Sequence, residues 1–377
     1  MKTYRIAIIG LGGMGHHHSE AVLAEDNCEL VGGADIDPGQ AARWRERFGV
    51  RAVFAEYEQM MDELAPDIAI VATHSPEHCP AAIAAARRGV HVFCEKPIAL
   101  NLVEADAMVA ACDAGDLRFA INHIKRASLY NRHVQERIGN GEIGQVIQVR
   151  AFEKGGRRTG NALMEMGTHL FDWIRLFAGD LEWAHAHLLQ LDGRESAIGD
   201  IRRTREVDPK DRDSGLVLGE RGSVSFRFKS GIHAQAEFLA EPRANDNAYG
   251  LDLIGTEGRM ALRGSVGTEL FIHRGAHQTP SEGWRRESLA SEDVDEGGKP
   301  RDMAAKRLLL QRLMLRDLIA AIEEGRDPVA SGRDGRDCLE MIHATWESHL
   351  RQGRARAPLQ PREHVLERWL RKGRTSG

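Results

Sequence analysis

The stretch Lys2-Thr-Tyr-Arg-Ile-Ala-Ile-Ile-Gly-Leu-Gly-Gly-Met-Gly15 decides the fold. Its apolar run, residues 6–9, reads as a buried strand passing straight into Gly10-x-Gly12-x-x-Gly15, with helix-compatible sequence behind it. Each glycine has a mechanical reason. Gly10 permits the tight turn, Gly12 lets backbone approach a pyrophosphate, and Gly15 lets the helix sit close to the strand. Gly13 and Met14 complete the cofactor-binding loop, and the helix N-terminus offers N–H groups and a partial positive charge to phosphates. A second apolar run, Leu30-Val-Gly-Gly-Ala-Asp35, ends in an acid placed where a carboxylate suits an adenosine ribose. Asp35 is the expected ribose ligand, with Asp37 as its substitute. The following Ile36-Asp37-Pro38 offers nothing to a 2′-phosphate, so NAD is favoured over NADP.

At 377 residues the chain is long for one compact core, and two domains are expected. A composition of 42% hydrophobic and 28% charged residues is that of a globular protein, and a net charge of −5 leaves no basic footprint for nucleic acid. No apolar stretch is long enough to span a bilayer, and residues 1–9 read as fold rather than as a leader, so a cytoplasmic protein is expected. The five cysteines are scattered without a C-x-x-C pair, which argues against a disulfide framework and a structural zinc site. His16-His17-His18 looks like a metal cluster, but consecutive helical residues point about 100° apart and cannot converge on one ion. One or two of the three are expected on a helix face near the cofactor, the rest in solvent, and no metal site is expected.

Helical sequence at 16–26, 38–48, 57–64, 78–88 and 101–115 alternates with apolar runs at 51–54, 67–73, 90–93 and 118–122. That rhythm predicts an α/β Rossmann domain with a doubly wound parallel sheet over residues 1–122. Ligands of such sheets bind outside the carboxyl ends of the strands, which puts Thr73, His74, Glu95, Lys96 and Asn122 on one rim. Beyond residue 123 the texture changes. A helix at 128–139 precedes runs of alternating pattern near 146–152, 181–191, 224–228, 232–239, 251–254 and 260–263. They predict an α+β domain with an antiparallel sheet over residues 123–360, followed by a C-terminal tail, 361–377. The charged segments 192–214 and 279–302 read as solvated connections. Helices are expected at 303–324 and 334–350, the latter closing the second domain or returning to the first. In the tail Val365, Leu366, Trp369 and Leu370 recur at helical spacing and are expected to pack on their own subunit or a neighbour.

Residues 160–179 are the second informative stretch. Leu163, Met166, Leu170, Ile174 and Phe177 form an apolar stripe, while Glu165, His169 and Asp172 fall within about 40° of one another on a helix wheel. A carboxylate beside an imidazole can fix one tautomer while the other nitrogen faces a substrate. A solvated helix face would show the same spacing; the companion Glu95-Lys96-Pro97 at a strand end on the cofactor rim favours a site.

Taken together, Gly10-x-Gly12-x-x-Gly15, Glu95-Lys96-Pro97, Gly141-Glu-Ile-Gly144 and Gly167-x-His169-x-x-Asp172 resemble the Gfo/Idh/MocA family, the glucose-fructose oxidoreductase and inositol dehydrogenase relatives. Gly255-Thr-Glu-Gly258 and Ala357-Pro358-Leu359 extend the likeness over essentially the whole chain. The resemblance implies an N-terminal Rossmann domain with a tightly placed nicotinamide cofactor, sugar or polyol substrates, and a C-terminal domain whose large, open antiparallel sheet serves as an oligomer interface in a dimer or tetramer. It implies Lys96 on the reacting oxygen and His169 as general acid/base, with Asp172 in support. Glu165 stands where the family usually has aspartate. At Thr73-His-Ser-Pro-Glu-His78, His74 replaces the usual proline; a metal pair of His74 and His78 lacks a third ligand, so both are assigned to the cofactor rim. Lys125, Arg126 and Arg157 are candidate contacts for substrate hydroxyls or an acidic group, although solvated arginine is the plainer reading of Arg157 and Arg158. The expected activity is oxidation of a secondary hydroxyl with NAD. The alternatives are an NAD-using glycosidase or epimerase that returns the hydride in each cycle, or a non-catalytic NAD-binding regulator.

Overall fold

The computed structural model describes residues 2–153, 161–207, 215–240, 249–275 and 283–375. They form two compact units, residues 1–127 with 308–336, and residues 128–307 with 337–377.

In the first unit the elements run β1 (Tyr4–Ile9), α1 (Gly13–Leu23), β2 (Cys28–Ala34), α2 (Pro38–Phe48), β3 (Val53–Phe54), α3 (Tyr57–Leu64), β4 (Ile68–Val71), α4 (His78–Ala86), β5 (His91–Cys94), α5 (Leu102–Ala114) and β6 (Phe119–Ile121). All strands are parallel, in the order β3-β2-β1-β4-β5-β6. This is the doubly wound order whose direction reverses between β1 and β4. Ile6, Ala7, Ile8 and Ile9 are all buried, as a central strand covered on both faces requires. Between the helices, the Trp44 indole N–H donates to Ser19 Oγ at 2.8 Å and ties α2 to α1.

The expected domain boundary needs one correction. Residues 308–336, assigned from sequence to the second domain, belong to the first unit. Met314, Leu315, Leu318 and Ile319 lie in the same core as Ile6, Ile70 and Phe93. Their polar flank is held as well, because the buried Glu25 carboxylate accepts from Arg312 Nε at 2.6 Å and Arg316 Nε at 2.7 Å.

The second unit contains α6 (Leu129–Gly139), β7 (Val146–Glu153), a π turn (Leu163–Gly167), α7 (Thr168–Ala178), β8 (Leu181–Leu189), β9 (Arg202–Arg203), α8 (Thr204–Val207), β10 (Leu216–Val217), β11 (Arg221–Phe228), β12 (His233–Phe238), β13 (Tyr249–Gly255), β14 (Gly258–Arg263), β15 (Glu269–Arg274), β16 (Arg285–Glu287) and α9 (Ala290–Asp293). Then come α10 (Met303–Glu324) and α11 (Gly332–Leu350), within which the two unit boundaries fall, β17 (Ala355–Arg356) and α12 (Val365–Thr375). Among the described residues nine strands pair in the order β16-β15-β14-β13-β7-β12-β11-β8-β17. The sheet is mixed rather than wholly antiparallel, since β7 and β12 run parallel, Gln148 opposite His233 and Ala151 opposite Ala236. Those two strands are far apart in sequence, so no hairpin forces them to oppose.

One face of this sheet is apolar. Phe171 of α7 packs edge-on against Phe226 and Phe238, ring centroids 5.0 and 5.8 Å away. Arg150, His185, Ser223 and Gln235 are exposed on the other face. The glycine turns at 141–144 and 255–258 pair with each other: Glu257 N–H donates to Ile143 O and Thr256 N–H to Gln145 O, both at 3.0 Å.

Both supposed solvated connections hold ordered structure. Residues 192–207 contain β9 and α8, with Arg194 clasping Asp200 at 2.7 Å. Within 279–302, β16 extends the sheet, and Glu292 of α9 is fully buried at the start of α6. Its carboxylate accepts from Ser128 Oγ at 2.9 Å and Leu129 N–H at 2.7 Å. A carboxylate at a helix N-terminus satisfies donors that the helix cannot. The tail helix packs within its own unit: Val365 and Leu366 are buried, and the Trp369 indole donates to Glu347 at 2.9 Å.

Candidate active site

The carboxyl ends of the first unit's strands gather most of the residues singled out from sequence. β1 ends at Gly10, whose φ is +91°. A Cβ there would lie 2.7 Å from the Thr73 nitrogen, so the glycine loop and the β4 exit touch backbone to backbone. At Gly15 a Cβ would lie 2.2 Å from the Gly10 carbonyl oxygen, the close helix–strand approach anticipated for that glycine. Gly12 and Gly13 face open space, with nothing within 4 Å of either Cβ position. Met14 follows in the first turn of α1.

Asp35 lies just beyond β2, half-buried. Its Oδ2 accepts from the Leu11 N–H of the glycine loop at 2.7 Å and its Oδ1 from the Asp37 N–H at 2.8 Å. Each oxygen keeps a lone pair, enough for a pair of sugar hydroxyls. Asp37 is otherwise engaged. It caps α2, accepting from Gly39 and Gln40 N–H at 2.7 and 3.2 Å.

Along the β4 exit Thr73 is half-buried, with its Oγ1 unpartnered among the described residues, and His74 is exposed at the start of a short turn. His78 is buried, Nδ1 2.8 Å from the Pro97 carbonyl oxygen and Nε2 3.2 Å from that of Thr73. Burial holds the imidazole below its ordinary pKa against the opposing pull of the two carbonyls. A neutral ring donates from one nitrogen only, and the shorter contact assigns that proton to Nδ1. His78 thus staples the β4 exit to the turn after β5. It does not pair with His74 around an ion, and no metal-binding group of three or more His, Cys, Asp or Glu occurs among the described residues.

That turn carries Glu95-Lys96-Pro97, with a cis peptide between Lys96 and Pro97. Lys96 is half-buried at its apex. Glu95, expected to touch cofactor, spends its carboxylate inside the unit. Oε1 accepts from His18 Nε2 at 2.8 Å and Asn122 Nδ2 at 2.6 Å, and Oε2 from the Lys96 N–H at 3.3 Å. Burial alone would raise the Glu95 pKa; the hydrogen bond and charge of His18, with Lys96 and Asn122, outweigh it and hold the group at about 2. The three histidines diverge as helix geometry demands. His16 meets the edge of Phe48, His17 lies 3.5 Å from Glu20, and only His18 turns inward.

Asn122, Lys125 and Arg126 follow β6. Asn122 and Lys125 are buried. Arg126 serves its own unit, pairing with Asp334 at 3.1 Å and donating to the Val329 carbonyl at 3.2 Å, which anchors the start of α11.

In the second unit Glu165 belongs to the π turn, and His169 is the second residue of α7. The wheel angle assumed for an α-helix therefore does not hold across Glu165–His169; such a turn bonds i to i+5 and recurs at functional sites. Glu165 and His169 are half-buried and Asp172 is fully buried. The apolar stripe is broader than expected, because Met164, Phe171 and Trp173 are buried while Met166 and Phe177 are only half so. Beneath the junction the Cys338 thiol donates to the Thr168 carbonyl oxygen at 2.9 Å. Arg157, Arg158 and Gly160 lie outside the described residues.

The profile of an oxidoreductase family with an NAD-binding Rossmann fold, Gfo/Idh/MocA, matches residues 4–123. The likeness to the Gfo/Idh/MocA oxidoreductases thus rests on the NAD-binding domain, residues 4–123. Across its length the chain is 24% identical over 353 residues to a myo-inositol 2-dehydrogenase of Thermotoga maritima, covering 91% of this chain and 96% of that one. It is also 24% identical over 368 residues to a D-apiose dehydrogenase of Paraburkholderia graminis, covering 94% and 89%. A solved levoglucosan dehydrogenase in complex with NADH shares the fold, with a TM-score of 0.76 at 21% identity over 95% of this chain and 100% of that one.

Sequence reading expected one or two of the three histidines near the cofactor but did not single out His18 or its bond to Glu95. The signal was available in Glu95: a glutamate at a buried strand end needs donors, and an inward-facing histidine in the helix after the glycine loop can supply one.

Proposed function

We propose that this protein is an NAD-dependent dehydrogenase oxidising a secondary hydroxyl of a sugar, cyclitol or related polyol. The observation that carries the reading is the Glu95-Lys96-Pro97 turn, which stands on the same strand-end rim as the open Gly12–Gly13 backbone and is braced by His78 and Glu95. The residues fit the dinucleotide. Gly12 and Gly13 leave room for a pyrophosphate at the start of α1, and the Asp35 carboxylate can accept from ribose hydroxyls. The negative charges of Asp35 and Asp37 disfavour a 2′-phosphate, which supports NAD over NADP.

When bound, nicotinamide supplies the acceptor for the hydride leaving the carbinol carbon. Lys96 holds the substrate oxygen, and its fixed ammonium stabilises the developing alkoxide with little reorganisation. His169 accepts the hydroxyl proton as the carbonyl forms. Asp172 supports His169, and Glu165 replaces aspartate with a longer carboxylate. Asn122 and Lys125 are assigned to the substrate side of the rim. Support for the substrate class comes from relatives named as inositol and apiose dehydrogenases. Self-association through the exposed face of the nine-stranded sheet, and a cytoplasmic location, belong to the same reading.

The test is a screen of sugars and polyols for NADH formation, followed by Lys96→Ala and His169→Ala on the best substrate. Each is expected to lower kcat by about 100-fold or more. Turnover at full rate in either variant refutes the assignment. Altered sugar with no net NADH would identify the hydride-returning alternative.

A further inference from the structure

We propose that His18 is a positioning residue for Lys96, acting through the Glu95 carboxylate that it shares with the Lys96 backbone. The inference rests on the role given to Lys96 above and concerns a residue that the motif leaves unassigned.

His18, Glu95 and Asn122 are 1%, 5% and 4% exposed, and they come from three elements: α1, the end of β5 and the end of β6. Asn122 is fixed beside Glu95 by its own N–H, which donates to the Cys94 carbonyl oxygen at 2.8 Å. Its amide orientation follows, since reversal would aim Oδ1 at the carboxylate. The His18 ring packs edge-on against Phe93 at 5.1 Å, which leaves Nε2 aimed at Glu95 Oε1. A buried carboxylate is tolerated only when its oxygens are bonded. Here the bonds come from His18, from Asn122 and from the Lys96 N–H itself. The carboxylate therefore joins the cofactor-loop helix to the backbone of the turn that carries the lysine. Filling space beside Phe93 would need only an apolar ring; a donor aimed at the carboxylate that holds Lys96 is more than packing demands.

The ionisable groups that act on Glu95 are His18 from α1, His78 from α4, and Cys94 and Lys96 on either side of it. With the His18 donor gone, burial is opposed less and the Glu95 pKa rises from about 2. Protonation of Glu95 would then free the turn within the range of an ordinary assay.

The test compares His18→Phe, His18→Gln and Glu95→Gln in the full-length protein. In His18→Phe, kcat is expected to fall by about 10- to 100-fold while KM and the NADH dissociation constant stay within about threefold. The kcat profile should gain an acid limb that wild type lacks, because a buried carboxylate short of donors titrates at higher pH. His18→Gln keeps an N–H donor and should recover most of the rate. Glu95→Gln should be slow at every pH, without the new limb, and adding His18→Phe to it should cost little more. A second readout needs no substrate. In wild type the depressed Glu95 carboxyl contributes stability above about pH 4.5 that is lost as pH falls toward about 2, whereas in His18→Phe that depression is relieved, so Tm should fall less steeply over this acid range and its deficit against wild type should be largest near neutral pH. Wild-type kcat and an unmoved profile in His18→Phe overturn the proposal. If that variant does not fold, wild-type kcat in Glu95→Gln does so. Full activity in Lys96→Ala would instead sink the functional reading, leaving the Tm comparison to report on the buried pair.

Discussion

At Gly15 one methyl group is enough to break the site, because it would sit 2.2 Å from the Gly10 carbonyl oxygen. Three residues earlier the same methyl meets nothing within 4 Å. Gly15→Ala is therefore expected to cost about 2 kcal/mol or more of stability through overpacking, and to weaken NAD binding as α1 moves. Gly12→Ala should stay within about 1 kcal/mol of wild type yet bind NAD about 10-fold more weakly, since the lost space is ligand space rather than protein space. Thermal melts alongside NADH fluorescence titrations check both, and equal stability losses in the two variants would contradict the division of roles. The turn geometry of these glycines and the strand-end positions of Asp35 and Lys96 were legible in the sequence because spacing encodes backbone geometry. The role of His18 was not, because the carboxylate it serves lies 77 residues away.

Among the elements, α12 shows how a segment of unremarkable composition gains a defined pH response. His364, just before it, stacks on Trp346 at 5.7 Å and meets His343 edge-on at 4.9 Å. Neither ring nitrogen of His364 finds a hydrogen-bond partner among the described residues. Burial pushes its pKa down to about 4 from an ordinary 6.5. The unfolded chain then binds the extra proton between those values, so stability is complete above about pH 6.5 and declines as pH falls toward about 4, by up to roughly 3 kcal/mol. His364→Phe should flatten that stretch of the urea-unfolding stability profile; an unchanged slope would place the proton sink elsewhere. The π turn before His169 is a second element that composition concealed. Its apolar pattern is helical, and only packing against the sheet decides where the winding widens.

For the whole molecule, the unit that holds the cofactor rim is discontinuous in sequence. Residues 1–127 alone lack the helix that brings Met314, Leu315, Leu318 and Ile319 to their core. That fragment is expected to show helical circular dichroism without a cooperative melt, and joining residues 308–336 through a flexible linker should restore the transition; a cooperative melt of 1–127 alone would show that the returning helix is dispensable. By itself the sequence determined the parallel sheet, the glycine loop and the strand-end placement of Lys96, because periodicity and turn chemistry act over a few neighbouring residues. Which unit the late helices joined, how β7 and β12 paired, and which histidine reached the Glu95 carboxylate were decided only in three dimensions. Those outcomes depend on burial and on hydrogen-bond partners distant along the chain, and no local spacing encodes them.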